Sequence, residues 1–494
     1  MNKKLLLALA ATVTTPLFAG GLVTNTNQNA AFLRQLSQDA IIDITGLYMN
    51  PAGTAFLAPG AHVSFNIQNA KQSRDIATTF PLFAYNMKNS NTTHKFEGDA
   101  YAPVIPSIQF SYNWEKWSIN ANFALGGGGG KCEFDAGLGS FEALYAGTIY
   151  KNVATSIATQ LAQGYAAQAI PQYMAGGMTL EQAQAAVAGP AAAYAQENLP
   201  ATLKQAYQGY SLNAYMKGRQ YYFGLSVGAT YKVMDNLALF GGLRAVYSTN
   251  NYNGYVEDVA YTVLGNTTNA NSDLTMNADQ TGWGFTPMLG IDWKINEHWN
   301  VAAKYEFKTR LRLENKTEMN NFAAETAKTK PVLGQFADGT KIAADIPSLL
   351  TMGVQYSPIS ALRLQTGFHW YGDKAATQFG NKQDLIDKDT WEITAGIEYD
   401  LCKWVTISGG WQSTNYGLSD AHMNDLSFTT NSNSWGVGAR INITEKWNID
   451  LGFMQTIYKD RTVNIENYEN SGLPKSDTYS RTNRVLGIGL NFNF

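Results

Sequence analysis

Several charged residues occupy the non-apolar face of stretches in which apolar residues alternate with polar, charged or glycine residues. Three arginines, one lysine and four acids share this placement: Arg244, Lys304, Glu306, Arg363, Glu392, Glu398, Arg440 and Asp450. Arginine and lysine donate strong hydrogen bonds to carboxylates, from a ligand or from the protein itself. We therefore consider Arg244 and Lys304 as candidates for binding the head group of an anionic ligand, with simple pairing to Glu306 as the alternative.

The sequence gives little support for an enzyme. The five histidines, His62, His94, His298, His369 and His422, are scattered along the chain, whereas a hydrolase needs a nucleophile, a histidine and an orienting group held together. The run 126–130 is glycine-rich, but Leu125 and Cys132 stand where a phosphate-binding loop needs a glycine and a hydroxyl. No cysteine has a histidine close enough in sequence to suggest a metal site. We expect no enzyme activity, no metal and no cofactor.

The stretches that carry these residues alternate strictly. Near the C-terminus, Trp447, Ile449, Leu451 and Phe453 share one face, and polar or glycine residues occupy the other. A period of two predicts β-strands. Similar runs occur at 61–68, 107–114, 117–125, 220–231, 237–247, 282–293, 299–308, 348–357, 361–371, 391–399, 404–412, 435–442 and 484–494.

The links between these runs alternate between short and long. Short links fall at 114–117, 232–236, 294–299, 357–361, 400–403 and 443–447, with long polar links between them. Outer-membrane barrels have short periplasmic turns and long external loops. Six of the eleven tryptophans lie at the short links, where an interfacial girdle belongs. The pattern predicts an all-β membrane protein, a transmembrane barrel of about fourteen antiparallel strands.

The N-terminus predicts export. Lys3 and Lys4 precede a short apolar run and small residues, as in a secretory signal peptide over 1–19 with cleavage before Gly20 or Gly21. We therefore expect a multi-pass barrel in the outer membrane of a Gram-negative bacterium. The net charge of −3 offers no basic field for nucleic acid.

Residues 20–60 precede the first run and are expected to form a plug, with the barrel over 61–494. The turn formed by Asn50, Pro51, Ala52 and Gly53 is rigid and compact. The polar face of the strands is rich in glycine, which leaves room in the lumen for other backbone.

Four stretches of the sequence resemble a known family, so that the resemblance covers essentially the mature chain. The segment "FLRQLSQDAIIDITGLYMNPAGTAFL" (32–57) is similar to the hatch of the FadL family (OmpP1/FadL/TodX) of outer-membrane transporters for long-chain fatty acids and other hydrophobic compounds. The likeness continues in "GWGFTPMLGIDWKINEHWNVAAKYEFKTRLRLE" (282–314), in "DIPSLLTMGVQYSP" (345–358) and in the terminal strand. The resemblance implies a monomeric fourteen-stranded barrel in outer-membrane lipid, gated by its hatch. It also implies capture of a hydrophobic small molecule outside and exit beside an inward bend of the third strand, which the glycines at 126–130 can absorb. A general diffusion porin and an outer-membrane lipid hydrolase are the alternatives.

Four further expectations concern particular residues. Arg363 and Arg440 lie near short turns, level with the hatch, and are candidates to pair with Asp39 or Asp43. Pro287, inside the sixth run, requires a bulge or a missing ladder bond. The external link 140–216 predicts several short helices, ended by Pro171, Pro190 and Pro200, that serve either as a capture groove or as a lid. Cys132 and Cys402, on opposite sides of the membrane, are expected to stay unbridged.

Overall fold

The computed structural model describes residues 24, 27, 29–328 and 331–494. The predicted signal peptide at 1–19 and its cleavage site at Gly20 or Gly21 lie outside the described residues. None of the helices in the described part of the chain is long and apolar enough to span a membrane.

Fourteen antiparallel strands form the wall, and the prediction of a fourteen-stranded barrel is confirmed. In chain order they are β1 (Gly60–Thr79), β2 (Thr93–Asn113), β3 (Trp117–Phe134), β4 (Tyr207–Met234), β5 (Leu237–Val263), β6 (Leu274–Lys294), β7 (Trp299–Glu306), β8 (Leu349–Ile359), β9 (Leu362–Tyr371), β10 (Thr390–Cys402), β11 (Val405–Asn415), β12 (Ser432–Asn442), β13 (Trp447–Tyr458) and β14 (Lys475–Asn493). Four shorter strands extend the sheet beyond the wall: Asn266–Asn269, Arg312–Met319, Lys341–Ala343 and Arg461–Ile465.

Neighbours in sequence are neighbours in the sheet, and β1 closes the barrel by pairing with β14. That pairing runs without a break from His62 opposite Asn493 to Thr79 opposite Ser476. Closure satisfies every edge, which a sheet in lipid requires because no water is present to pair with free backbone groups. The alternation of the sequence follows directly, since Trp283 and Phe285 point to lipid while Thr286 and Met288 are buried in the lumen.

In the described part of the chain, seven 3-10 turns lie in the external loops or in the lumen. The 3-10 turns are Ile44–Gly46, Pro51–Phe56, Pro81–Tyr85, Asp373–Ala375, Phe379–Leu385, Asp420–His422 and Tyr468–Asn470. The first two lie inside the barrel together with helix α1 (Ala30–Gln35), and most residues between 29 and 56 are buried. The N-terminal segment therefore fills the lumen, as the glycine-rich strand face predicts.

Glycines on the lumen face make this filling possible. A Cβ added at Gly410 would overlap the carbonyl oxygen of Gln35, and one added at Gly452 would overlap that of Ala30. The backbone of α1 thus lies directly against the backbone of the wall, a distance that only glycine allows. Further wall glycines whose added Cβ would crowd the N-terminal segment are Gly353, Gly367, Gly396, Gly436, Gly438 and Gly487.

The external insertion forms a hairpin of two long helices, α2 (Gly139–Ala175) and α3 (Leu180–Ala206). The prediction of several short helices ended by Pro171, Pro190 and Pro200 is wrong, since all three prolines lie inside these helices. Each proline removes one helical hydrogen bond. Tertiary packing outweighs that loss, because buried α3 residues recur every fourth position through Pro190: Ala183, Val187, Ala191 and Ala195. Residues 207–216, expected to be helical, already belong to β4.

Two shorter helices, α4 (Asn321–Ala327) and α5 (Pro331–Gly334), lie in the loop between β7 and β8. Cys132 is near the outer end of β3, and Cys402 is exposed at the end of β10. Both cysteines are free, as expected.

Candidate gate and ligand path in the barrel lumen

The turn at Asn50 is anchored to the wall. The side chain of Asn50 accepts a hydrogen bond from the amide of Gly53 (3.2 Å) and donates to the carbonyl of Ile41 (3.1 Å) and to the carboxylate of Asp292 on β6. Pro51 is the first residue of the following 3-10 turn, where its missing N–H costs nothing. The Asn50–Gly53 turn is therefore stabilised by a hydrogen bond within the turn and by a hydrogen bond to the barrel wall.

The neighbours of this turn belong to strands β3 to β7. The carbonyl of Pro51 accepts hydrogen bonds from Asn120 (3.3 Å) and Thr230 (3.1 Å). Ala52 is buried in a small cluster with Phe240 and Met288. Asn300 donates to Asp292 (3.0 Å) and to the carbonyl of Ala40 (2.9 Å), so it connects two parts of the hatch. Sequence reasoning missed Asp292 and Asn300, although their positions on the lumen face of two neighbouring strands were visible.

The first half of the hatch is held by a buried ionic network. Arg34 of α1 contacts Asp450 (Nε–Oδ1, 3.0 Å) and Glu398. Arg440 contacts Asp450 and Asp43, each at 2.9 Å. Burial alone would raise the pKa of the Asp43 carboxyl, but the charge and hydrogen bonds of Arg440 hold it well below its usual range. The structure thus brings together Arg440 and Asp43, one of the anticipated combinations.

The other anticipated combinations do not form. Arg363 contacts Asp400 (2.7 Å) and Glu398 (3.4 Å), so its expected pairing with the hatch is wrong. Glu398 lies directly opposite Arg363 on the adjacent strand, which explains this preference. Asp39 contacts Nε2 of His369 instead (2.9 Å), and Nδ1 of His369 contacts Glu392 (2.8 Å).

Arg244 and Lys304, the two candidates for binding the head group of a ligand, lie farther from the short turns than Arg440 does. Arg244 donates to both oxygens of Glu306 (2.6 and 2.9 Å), and Lys304 donates to Glu306 (2.7 Å) and to the carbonyl of Tyr48 (2.6 Å). The ring of Tyr48 lies beneath both cations, at 5.2 Å from Arg244 and 5.0 Å from Lys304. Pairing with Glu306 therefore occurs, and the group of three retains one unbalanced positive charge.

Two inner cavities adjoin this group. One small cavity is lined by residues that include Tyr48, Gly126, Tyr222, Arg244 and Val246. A second small cavity reaches the hatch turn, and its lining includes Tyr48, Pro51, Arg244 and Lys304.

A larger outer pocket lies beneath the start of α2. It has a volume of about 820 Å³ and an almost wholly apolar lining that includes Phe141, Met216, Met276, Phe322 and Phe336. Met216, Met276 and Phe336 also belong to a buried apolar cluster that extends to Tyr222 and Val246 of the inner cavity. Apolar side chains therefore continue from the outer pocket to the inner one.

The wall is interrupted beside the inner cavity. Strands β2 and β3 pair from Gly98 to Ala100 and again from Ile108, and the regular ladder between them is interrupted between these two stretches. Pro103 and Pro106 lie in this interval and have no N–H to donate. On the other side, Gly128 has a φ of +108°, and an added Cβ would overlap the carbonyl of Gln220.

The glycine run thus lies within β3, at a local opening of the wall that Gly126 connects to the inner cavity. Sequence reasoning identified the glycines but not the two prolines, which carried a readable signal. Pro287 lies where the pairing of β6 with β7 ends, at Met288 opposite Glu306, so it loses a ladder bond as expected.

Comparison with known proteins places the chain in a family. The model of the family "Outer membrane protein transport protein (OMPP1/FadL/TodX)" matches residues 191–494, more than half of the chain. The 47 kDa outer membrane protein of Pasteurella multocida is 23% identical over 235 residues, or 43% of this chain. The chain spans about half the length (51%) of that curated relative.

Solved structures share the fold. A FadL homologue from Pseudomonas aeruginosa superposes with a TM-score of 0.63 at 14% identity, covering 96% of this chain and all of that one (100%). The toluene transporter TodX of Pseudomonas putida gives 0.53 at 11% identity, covering 97% and 100%. The chain therefore belongs to the OMPP1/FadL/TodX family of outer membrane transport proteins, as a β-barrel of the outer membrane.

Proposed function

We propose that this protein takes up long-chain fatty acids or similar hydrophobic small molecules, and that the hatch gates their passage. The ligand enters the outer pocket from outside, descends through the apolar part of the lumen, reaches the inner cavity and leaves sideways between β2 and β3 into the membrane. The observation that carries this proposal is the run of apolar side chains that joins the two pockets.

The head group of a fatty acid fits the charge of the inner cavity. Arg244, Lys304 and Glu306 together leave one positive charge, so a carboxylate there gains a partner without a new cation being buried. The acyl chain then lies toward Tyr222 and Val246. An aromatic hydrocarbon has no group to meet this charge, so the charge favours an anionic amphiphile.

The same cavity connects ligand binding to the hatch. Tyr48 lines it, and the carbonyl of Tyr48 accepts a hydrogen bond from Lys304. A carboxylate that attracts Lys304 therefore competes with the hatch for this donor, and Asn50 follows only two residues later. Binding would loosen the segment that closes the path.

The two alternative functions have less support. A general diffusion porin needs a water-filled lumen, but buried hatch residues fill the inner half of this one. A lipid hydrolase needs an exposed nucleophile, and residues 224–228 (Gly-Leu-Ser-Val-Gly) do have the spacing of a nucleophile elbow. They lie inside β4, however, rather than at a strand-to-helix turn, and Ser226 accepts a hydrogen bond from Arg244 (3.0 Å). We infer a monomeric transporter without enzyme activity or cofactor.

A charge placed in the outer pocket tests this function. Met276→Asp buries a carboxylate among apolar side chains, which costs far more than an acyl chain gains there. We expect the initial uptake of a radiolabelled long-chain fatty acid by cells producing the variant to fall about tenfold or more. Asn277→Asp, the next residue on the opposite face of β6, is the matched control and should take up fatty acid normally. Equal uptake by Met276→Asp and wild type, at equal outer-membrane levels, would contradict the proposed path.

A further inference from the structure

Four amide side chains form a row across four adjacent strands. Gln220 on β4 lies opposite Asn250 on β5, Asn250 opposite Gln280 on β6, and Gln280 opposite Asn315 on the short strand Arg312–Met319. Because directly opposed residues point to the same side of a sheet, all four belong to one face. We call them the amide row.

The amide row lies between the two pockets. On β6, Met276 lines the outer pocket, Thr286 lines the inner cavity, and Gln280 lies between them on the same face. The distances along the strand are roughly 13 Å and 20 Å, at about 3.3 Å per residue. On β5, Gly254 and Val246 line the same two spaces on either side of Asn250. A molecule that passes between the pockets therefore passes the amide row.

Much of the hydrogen-bonding capacity of this row is unused. Asn250 and Gln280 are both 0% exposed. In the described part of the chain, neither Nε2 nor Oε1 of Gln280 has a hydrogen-bond partner, and the same holds for Oδ1 of Asn315, whereas the side chain of Asn250 interacts with the hydroxyl of Tyr222. Buried amides are normally satisfied, so unpaired ones in an apolar lumen call for a partner.

The remaining atoms of the row are used in ways that fix its geometry. Gln220 donates to the hydroxyl of Tyr252, and Asn315 donates to the carbonyls of Gln335 and Ala337. These contacts hold the ends of the row against the wall. The free atoms in the centre are the amide donor of Gln280 and the carbonyl acceptors of Gln280 and Asn315.

We propose that the amide row binds the polar head group of the transported molecule as it moves from the outer pocket to the inner cavity. The free atoms suit a neutral head group that both donates and accepts, such as a hydroxyl or a protonated carboxyl. This inference rests on the proposed uptake function and narrows its substrate to an amphiphile. A bare hydrocarbon leaves the amides unpaired, so the path discriminates against it.

Two probes of equal chain length test this inference in cells that produce the full chain. Radiolabelled 1-dodecanol carries a hydroxyl, and radiolabelled dodecane carries none. The wild type should take up the alcohol faster than the alkane. In Asn250→Leu/Gln280→Leu the ratio of alcohol to alkane uptake should fall about tenfold, the factor expected for the loss of one or two hydrogen bonds.

A matched variant separates this effect from general damage. Asn251→Leu makes the same chemical change one residue away, on the outward face of β5, and should leave the ratio unchanged. Gln280→Met, an unbranched side chain of similar length, serves as a second variant if the double substitution prevents barrel folding, as judged by heat-modifiable migration on gels. It should lower the ratio in the same direction.

The outcomes distinguish the two proposals. An unchanged ratio in a folded Asn250→Leu/Gln280→Leu or Gln280→Met barrel overturns the role of the amide row and leaves the uptake function standing. Failure of the wild type to take up both long-chain fatty acid and 1-dodecanol overturns the uptake function, and the amide row with it.

Discussion

The periplasmic and outer halves of the lumen differ in their side chains, since paired charges are found in the first and an apolar pocket in the second. In the periplasmic half, Arg34, Arg440 and Asp450 pair with one another or with the hatch, and wall glycines let two backbones touch. In the outer half, apolar side chains line a large pocket, and amides of the amide row lack partners. Among the described residues, buried amides without a partner occur in both halves, Gln35 in the first and Gln280 in the second, so the halves differ in their charges and in the apolar pocket rather than in unpaired amides. This difference is the basis of the proposal that one half holds the hatch and the other a ligand.

Removing a charge from the periplasmic half of the lumen should have the largest effect. Arg34→Met leaves Asp450 and Glu398 with one partner fewer in a buried site, which costs about 3–5 kcal/mol of hatch docking. The barrel wall keeps all its strand pairs. We expect folded barrels with frequent large openings in planar-bilayer conductance.

An exposed ion pair provides the control for this change. Lys131 contacts Glu133 at 2.8 Å with 44% of its side chain exposed, and Lys131→Met should give wild-type conductance because such pairs contribute about 0–1 kcal/mol. A closed Arg34→Met channel would mean that the ionic network does not hold the hatch.

A side chain added to the wall should act through space rather than charge. Gly410→Val introduces atoms where the carbonyl of Gln35 lies, and overpacking of this kind costs about 1–3 kcal/mol or more. We expect α1 to leave its place and become sensitive to added protease in outer-membrane preparations. Gly409→Val is the matched control, since the nearest atom to its added Cβ is 3.7 Å away. Equal protease resistance of the two variants would refute the close backbone contact.

Loosening the Asn50–Gly53 turn should have a smaller effect on stability but a clear one on transport. Asn50→Ala with Pro51→Gly removes a cap worth about 1 kcal/mol and the contact with Asp292, but it substitutes no residue of the barrel wall. Uptake of labelled fatty acid should fall, and leak of small polar solutes should rise.

A helix cap away from the ligand path serves as the control for that variant. Thr179 caps α3 by accepting a hydrogen bond from the amide of Gln182 (3.3 Å), and Thr179→Ala should transport normally. More leak with unchanged fatty-acid uptake in the turn variant would show that the hatch is a static stopper rather than a gate.

The smallest expected effect concerns pH in the external loops. Burial lowers the pKa of His422 from 6.5 to about 3, and Lys382 and Arg461 act in the same direction. Its neutral form is therefore favoured in the folded loop. The stability that depends on it is complete above pH 6.5 and is lost progressively as the pH falls toward 3. The protection factors of residues 416–431 in hydrogen exchange, which correct for the intrinsic pH dependence of the exchange rate, should fall as the pH is lowered over this range in wild type but much less in His422→Leu. Identical pH profiles would contradict this role.

The barrel could be read from the sequence because its signals are local. The alternation around Trp447 and the short links can be recognised without reference to distant residues. The glycines on the lumen face likewise indicate where other backbone can approach the wall closely. The lengths of α2 and α3 could not be read in this way. Their prolines signal helix ends, and only the packing of one helix on the other outweighs that signal.

The candidate site was predicted less completely, since it depends on contacts between distant residues. Hundreds of positions separate Asn50 from Asp292 and Asp39 from His369. The sequence around one member of such a pair does not indicate the other member. Arg244, Lys304 and Arg440 were found because strand alternation assigns a face and the short links assign a height. Arg363 was assigned a hatch partner on height alone, and the nearer acids of its own strand pair prevail.

A crystal structure with a fatty acid brominated at its terminal carbon tests the central claim most directly, since anomalous scattering locates the bromine. The account predicts bromine inside the lumen, near Met276 and Phe336 of the outer pocket or near Tyr222 and Val246 of the inner cavity. At saturating ligand, a well-ordered barrel with bromine only on its lipid-facing surface would contradict the account.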